Sequence, residues 1–234
     1  MPGPAPGSAR WRGLLVCAID GTIMTVADSP ANLAVYSKPR GGPCGGGSYP
    51  TLRLLAVVSC GTRAVIDAMF RPISSGETTC ARLLLPGLRA GMILLADRNV
   101  GAGSLAAQTA ATGAEFLIRV RTGNGAPKLP VLGRLPDGSW LSRFGGVPVR
   151  VIDAEIAIAT SAGRAAGRYR LITTLADPAR ELAVLYRERA AMIYQHATRD
   201  RDRAIAKALG TFVRQVRNAT EKPADDQERG AAGA

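Results

Sequence analysis

A chain of 234 residues holds one large domain or two small ones, with enough core to fold. Its 30 Lys and Arg against 18 Asp and Glu leave a formal charge of +12, beyond what solubility requires. Such an excess suits a polyanionic partner, because each neutralised phosphate releases condensed counterions, although a compositional bias toward Ala, Gly and Arg produces the same sign.

Residues 1–13 open on a Pro/Gly-rich stretch, Met1 to Ser8, followed by Arg10, Trp11 and Arg12, and read as a disordered N-terminus. Leu14 to Ile19 is a continuous apolar run that ends in Asp20-Gly21-Thr22, the pattern of a buried strand with a carboxylate at its end. That run is too short for a signal h-region or a membrane span, so a soluble protein of the cytoplasm, associated with the nucleoid, is expected. Lys38 to Gly47 is loop by composition. Leu52 to Cys60 and Ala64 to Phe70 read as two strands of a hairpin turning at Gly61-Thr62. Ser75 to Leu88 reads as helix, disturbed near its end by Pro86.

Met92 to Ala96 is a second buried strand, ending on Asp97. Ser104 to Ala111 is a small-residue helix closed by Gly113, and Glu115 to Val120 is a further strand. Between about residues 128 and 165 short strands alternate with turns at Pro136-Asp137-Gly138 and Gly145-Gly146, a β-rich insertion. Arg168 to Thr174 returns to core-strand character, and Pro178 introduces a helix at Ala179 within a helix-prone stretch reaching Leu209. Asp225 to Ala234 reads as a disordered tail. The expected class is α/β, a ribonuclease-H-like core with a β-rich insertion, then a C-terminal helix and tail.

Four cysteines (Cys17, Cys44, Cys60, Cys80) show no CxxC spacing, and His196 is the only histidine. Buried free thiols in a reducing compartment fit this better than a zinc site. Asp20 and Asp97 are more informative. Each closes an apolar strand, an arrangement that holds a carboxylate rigidly against a divalent cation, as two-metal phosphoryl transfer requires. A strand-end Asp that merely caps a turn is the plainer alternative.

Several segments together resemble one family. They are Ala18-Ile19-Asp20-Gly21-Thr22, Asn32-Leu33-Ala34 with Tyr36-Ser37-Lys38, Leu94-Leu95-Ala96-Asp97-Arg98-Asn99 and Phe116-Leu117-Ile118-Arg119-Val120. Leu135-Pro136-Asp137-Gly138-Ser139 and Tyr169-Arg170-Leu171-Ile172-Thr173-Thr174-Leu175 complete the set. In this order they resemble the DDE transposases of bacterial insertion sequences, in the insertion-sequence-four family, over about residues 14–189. The resemblance implies Asp20 and Asp97 as the first two catalytic acids and metal ligands. It also implies Mg²⁺ (or Mn²⁺) as the cofactor of an active form and double-stranded DNA as partner, with a homodimer as one oligomeric state it allows.

The family's third region runs Tyr, Arg, catalytic Glu and Lys at fixed intervals. Tyr186 and Arg189 match its first two places and would lie near DNA. The Glu place falls on Ile193, which cannot ligate a metal, and the Lys place on Asp200. Glu181 and Glu188 lie outside the register on a helix of 100° per residue. From 190 to 234 the chain is similar instead to the C-terminal tail of tyrosine recombinases (phage-type integrases), with Tyr194 at the nucleophile's place in Ile193-Tyr194-Gln195-His196. The Arg and His partners that such a nucleophile needs have no place upstream, and an ordinary helical tyrosine accounts for Tyr194 as well.

Only 19 residues precede Asp20, fewer than the helical N-terminal domain usual in the transposase family. The expectation is a truncated, inactive transposase by descent. A non-catalytic basic DNA-binding remnant is the alternative from another class, and a tyrosine recombinase the third.

Overall fold

A computed structural model describes residues 9–38, 49–97, 103–160 and 163–194, with side chains except those of 157–165 and 190–194. Chain contacts divide the protein into two units, residues 1–193 and 194–234. Nearly everything described belongs to the first.

The first unit is built on one mixed sheet. Its strands are β1 (Arg10–Trp11), β2 (Leu14–Thr25), β3 (Thr51–Ser59), β4 (Val65–Pro72), β5 (Met92–Ala96), β6 (Glu115–Val120), β7 (Gly133–Arg134), β8 (Trp140–Phe144), β9 (Val147–Thr160) and β10 (Gly163–Thr173). The spatial order is β4-β3-β2-β5-β6-β10-β9-β8-β7, with β1 paired to β2. β2, β3 and β4 form an antiparallel meander, after which β5 and β6 run parallel to β2. This is the ribonuclease-H-like arrangement. The helices are α1 (Pro30–Val35), α2 (Glu77–Leu84), α3 (Gly103–Ala111) and α4 (Ala179–Tyr194).

Alternation along the central strands gives each face its own core. Cys17 and Ile19 of β2, Leu94 and Ala96 of β5, and Phe116 and Ile118 of β6 pack with Leu84 of α2 and Leu105 of α3. Val16 and Ala18, Ile93 and Leu95, and Leu117 point the other way and pack with Leu182, Leu185 and Tyr186 of α4. β5 is buried at all five positions because a parallel strand covered on both faces has no solvated side. α4 reaches the sheet with a stripe at i, i+3, i+4 and i+7, namely Leu182, Leu185, Tyr186 and Arg189, all buried.

Two expectations change. The strand at Leu14 does not end at Asp20: β2 continues to Thr25 because β3 pairs with it along its whole second half, Asp20 opposite Ala56 and Thr25 opposite Thr51. Gly21 permits this close passage, since a Cβ there would sit 2.8 Å from Leu55 Cδ1. The N-terminal stretch is ordered from residue 9 in the described part, with Trp11 buried in the second core. The β-rich insertion extends the same sheet, because β9 pairs with β10 from Thr160 opposite Gly163 down to Arg150 opposite Thr173.

Candidate active site

β2 and β5 are neighbours and parallel, in register from Leu15 opposite Met92 to Ala18 opposite Leu95. Asp20 and Asp97 each lie two residues beyond that last pair. Two residues is one period of a strand, so both acids continue the face on which Ala18 and Leu95 lie, the α4 face. The same count on the next strand leads from Leu117, partner of Leu95, to Arg119. The ion pair between Arg119 Nη1 and Asp97 Oδ1, 3.5 Å, agrees with this placement. β2 and β5 thus deliver the two acids to one end of the sheet, on one face.

Neither acid is fully solvated. Asp20 is half-buried and its Oδ1 accepts the Gly21 backbone N–H at 2.9 Å. Asp97 Oδ1 is buried and, among the described residues, receives no hydrogen bond. A buried carboxylate oxygen that no N–H or O–H satisfies carries a desolvation penalty unless a cation compensates it. Arg119 does so only at ion-pair distance, and its guanidinium lies 4.0 Å from the centroid of the Tyr169 ring. One carboxylate within β2 and one directly beyond the end of β5 are the hard oxygen donors that Mg²⁺ or Mn²⁺ takes while retaining several waters. The residues fit such an ion as a two-carboxylate site. Among the described residues no group of three His, Cys, Asp or Glu could hold a metal.

The third region is placed differently from what a surface DNA contact requires. Tyr186 and Arg189 are 1% and 4% exposed, on the stripe of α4 that faces the sheet. Tyr186 lies 6.4 Å from Tyr169, ring centroid to centroid. In this structure they are interior groups, and a direct phosphate contact by either is not what the fold presents. Arg189 also acts on Cys60. Burial pushes that thiol up to about 12, and the neighbouring Cys17 adds to the shift while the positive charge of Arg189 opposes it. Cys17 rises to about 11 for the same primary reason. Cys17, Cys60 and Cys80 are buried free thiols, as the sequence suggested; Cys44 lies outside the described residues.

Glu181 and Glu188 are both exposed, off the buried stripe, and Glu181 is engaged by Arg12. Tyr194 is the last residue of α4, and its side chain, like that of Ile193, lies outside the described ones, as do Arg98, Asn99 and Asp200. α4 is continuous across residue 189, so the backbone carries no break where the two sequence resemblances meet.

Residues 11–192 match the family described as "Transposase DDE domain". The chain belongs to that family. Among curated proteins, "Putative transposase InsZ" of Escherichia coli (strain K12) is 28% identical over 88 residues, which cover 38% of this chain and 29% of that relative. Among solved structures, a piggyBac transposase synaptic complex with hairpin DNA matches at a TM-score of 0.47 and 13% identity, over 76% of this chain and 38% of the other.

Sequence reading missed one further set of residues at the foot of α4. Arg150 of β9 is buried and donates to Ser139 Oγ at 2.8 Å, to the carbonyls of Ala176 (2.7 Å) and Asp177, and to the Asp137 carboxylate. Asp137 in turn accepts the Ser139 hydroxyl at 2.6 Å and the Ala179 N–H at 2.8 Å. The Ser139 hydroxyl, the Ala179 N–H and then Arg150 hold its carboxyl down at about 2. The sequence signals were the Asp137-Gly138 turn and the Leu135 to Ser139 segment of the family resemblance, and neither hinted at a partner 13 residues on.

Proposed function

We propose that the chain is a DNA transposase core of the insertion-sequence-four type, built for metal-dependent strand cleavage and transfer, in which Asp20 and Asp97 hold Mg²⁺ or Mn²⁺. The observation that carries this reading is the placement of both acids two residues past the same strand pair, on one face. A bound divalent cation would supply charge stabilisation to the attacking and leaving oxygens of a phosphodiester. The chain's own residues fix the carboxylates on two hydrogen-bonded strands, and Arg119 sets a positive charge beside Asp97. Tyr186 and Arg189 support the site from the interior of α4.

The third acid is absent by register: position 193 holds Ile, and Glu181 and Glu188 face away from the buried stripe. A site one carboxylate short holds metal weakly and loses most transition-state stabilisation, so the chain as it stands is inactive. Residues 190–234 derive, on this reading, from an integrase-like tail, with Tyr194 lacking the partners a nucleophile needs. The alternative, a non-catalytic DNA-binding remnant, draws on the +12 charge.

Strand cleavage of labelled duplex DNA with Mg²⁺ or Mn²⁺ tests the reading in three proteins: the parent chain, Ile193→Glu and Asp97→Ala. No cleavage is expected from the parent, and a gain is expected only in Ile193→Glu. Cleavage by the parent that disappears in Asp97→Ala would show that another acid completes the site.

A further inference from the structure

The foot of α4 is held by a polar cluster that the two acids do not require. Arg150 has five N–H donors in a rigid fork, and here it serves four acceptors on two segments: Asp137 and Ser139 in the turn before β8, and Ala176 and Asp177 in the loop just ahead of α4. Asp137 joins the two ends. It pairs with Arg150 and caps α4 by accepting the first helical N–H, that of Ala179, one of the amides without an intrahelical partner. On the same segment Arg12 engages Asp177 and Glu181, so α4 starts from a fixed point.

A helix advances 100° per residue, so the point at which it starts sets the facing of every later position. Leu182, Leu185, Tyr186 and Arg189 are buried on one stripe, and position 193 continues it, four residues past Arg189. We propose that Asp137 and Arg150 are positioning residues of the DDE site: the β-rich insertion sets the start, and hence the phase, of the helix that carries the third region. This rests on the transposase reading above and names a role for the insertion within it. Arg150 is 7% exposed and sits among protein acceptors, which suits a structural fork better than a surface phosphate contact.

The test uses the full chain and two readouts. In the first, amide hydrogen exchange compares the parent with Asp137→Ala, Asp137→Asn and Arg150→Lys. Amides of residues 181–189 should exchange at least about ten times faster in Asp137→Ala, with β5 and β6 unchanged, since local openings are separable from global ones. Asn retains an acceptor for Ala179 and should restore much of the protection. Lys has no fork and should not. Unchanged exchange in α4 would overturn the proposal, as would equal acceleration throughout the sheet.

In the second, Mn²⁺ binding is followed by electron paramagnetic resonance in the parent and in Ile193→Glu, each with and without Asp137→Ala. A role in aiming α4 predicts that Asp137→Ala weakens Mn²⁺ about tenfold only where Glu occupies position 193. Equal weakening in both backgrounds would contradict it. Should Ile193→Glu leave Mn²⁺ affinity unchanged, the register of the third acid fails, and the exchange comparison alone decides the positioning role.

Discussion

Asp137 shows at the scale of one residue how much a short turn can be asked to do. Its carboxylate accepts from Ser139, Ala179 and Arg150 together, and these partners hold it at about 2 against 3.8 for an ordinary Asp. Because the folded value lies below the unfolded one, the stabilisation is complete above about 3.8 and is lost as pH falls toward about 2. Urea unfolding of the parent and of Asp137→Asn should therefore differ at pH 6, with the gap closing between pH 4 and pH 2. A gap that stays constant to pH 2 would mean the carboxylate contributes nothing as an anion. Arg170 is the counterpart on β10, raised first by its hydrogen bonds to Asp153 at 2.7 and 2.6 Å. The residue scale was also where sequence reading was least reliable. Tyr186 and Arg189 share the inward stripe of Leu182 and Leu185, a spacing present in the sequence itself.

At the scale of elements, legibility followed how strongly each segment is covered. β5 has the bounds its sequence indicates because a strand buried on both faces is an unbroken apolar run, and β6 keeps its bounds although Glu115 and Arg119 interrupt its apolar residues. β2 was read six residues short. Beyond Asp20 it carries Gly21 and Thr22, which resemble a turn locally and become strand only through pairing with β3. β10 was read late for a related reason: Gly163, Ala165, Ala166 and Gly167 have little β-propensity of their own and are held by β9. α1 was missed, although Ser29 as N-cap followed by Pro30 is a helix-start signal. The turn between β8 and β9 was legible as Gly145-Gly146, but its tertiary role was not. Gly145 has φ +59°, and a Cβ there would lie 1.9 Å from Gly103 O, at the start of α3. Backbone cannot yield as a side chain does. Gly145→Ala should lower stability by roughly 2–4 kcal/mol, the combined scale of positive-φ strain and overpacking. Thermal unfolding checks this, and a melting temperature unchanged within a degree would show that the turn does not bear on α3 as drawn.

Over the whole molecule, the ribonuclease-H-like order was foreseeable because the sequence presents its elements in that order, and the strand-then-Asp pattern with the family resemblance already points to Asp20 and Asp97 at neighbouring strands, as β2 and β5 are. The positive charge also belongs to this scale. A net +12 attracts phosphate without regard to base, since phosphate contacts carry no sequence information directly. The protein should bind duplex DNA with little sequence preference, and its affinity should fall steeply between about 50 and 200 mM salt. Fluorescence anisotropy over that range checks it, and binding that persists at high salt or strongly favours one sequence would count against a charge-driven contact. No helix among the described residues is long and apolar enough to cross a membrane.

Everything functional in this account depends on Asp20 and Asp97 sharing a cation. Mn²⁺ titration of the full chain by electron paramagnetic resonance, alongside Asp20→Ala and Asp97→Ala, tests that most directly. Weak binding is expected at a site that either substitution abolishes, with folding unchanged by circular dichroism. Binding that survives both substitutions, or is lost in neither, would contradict it.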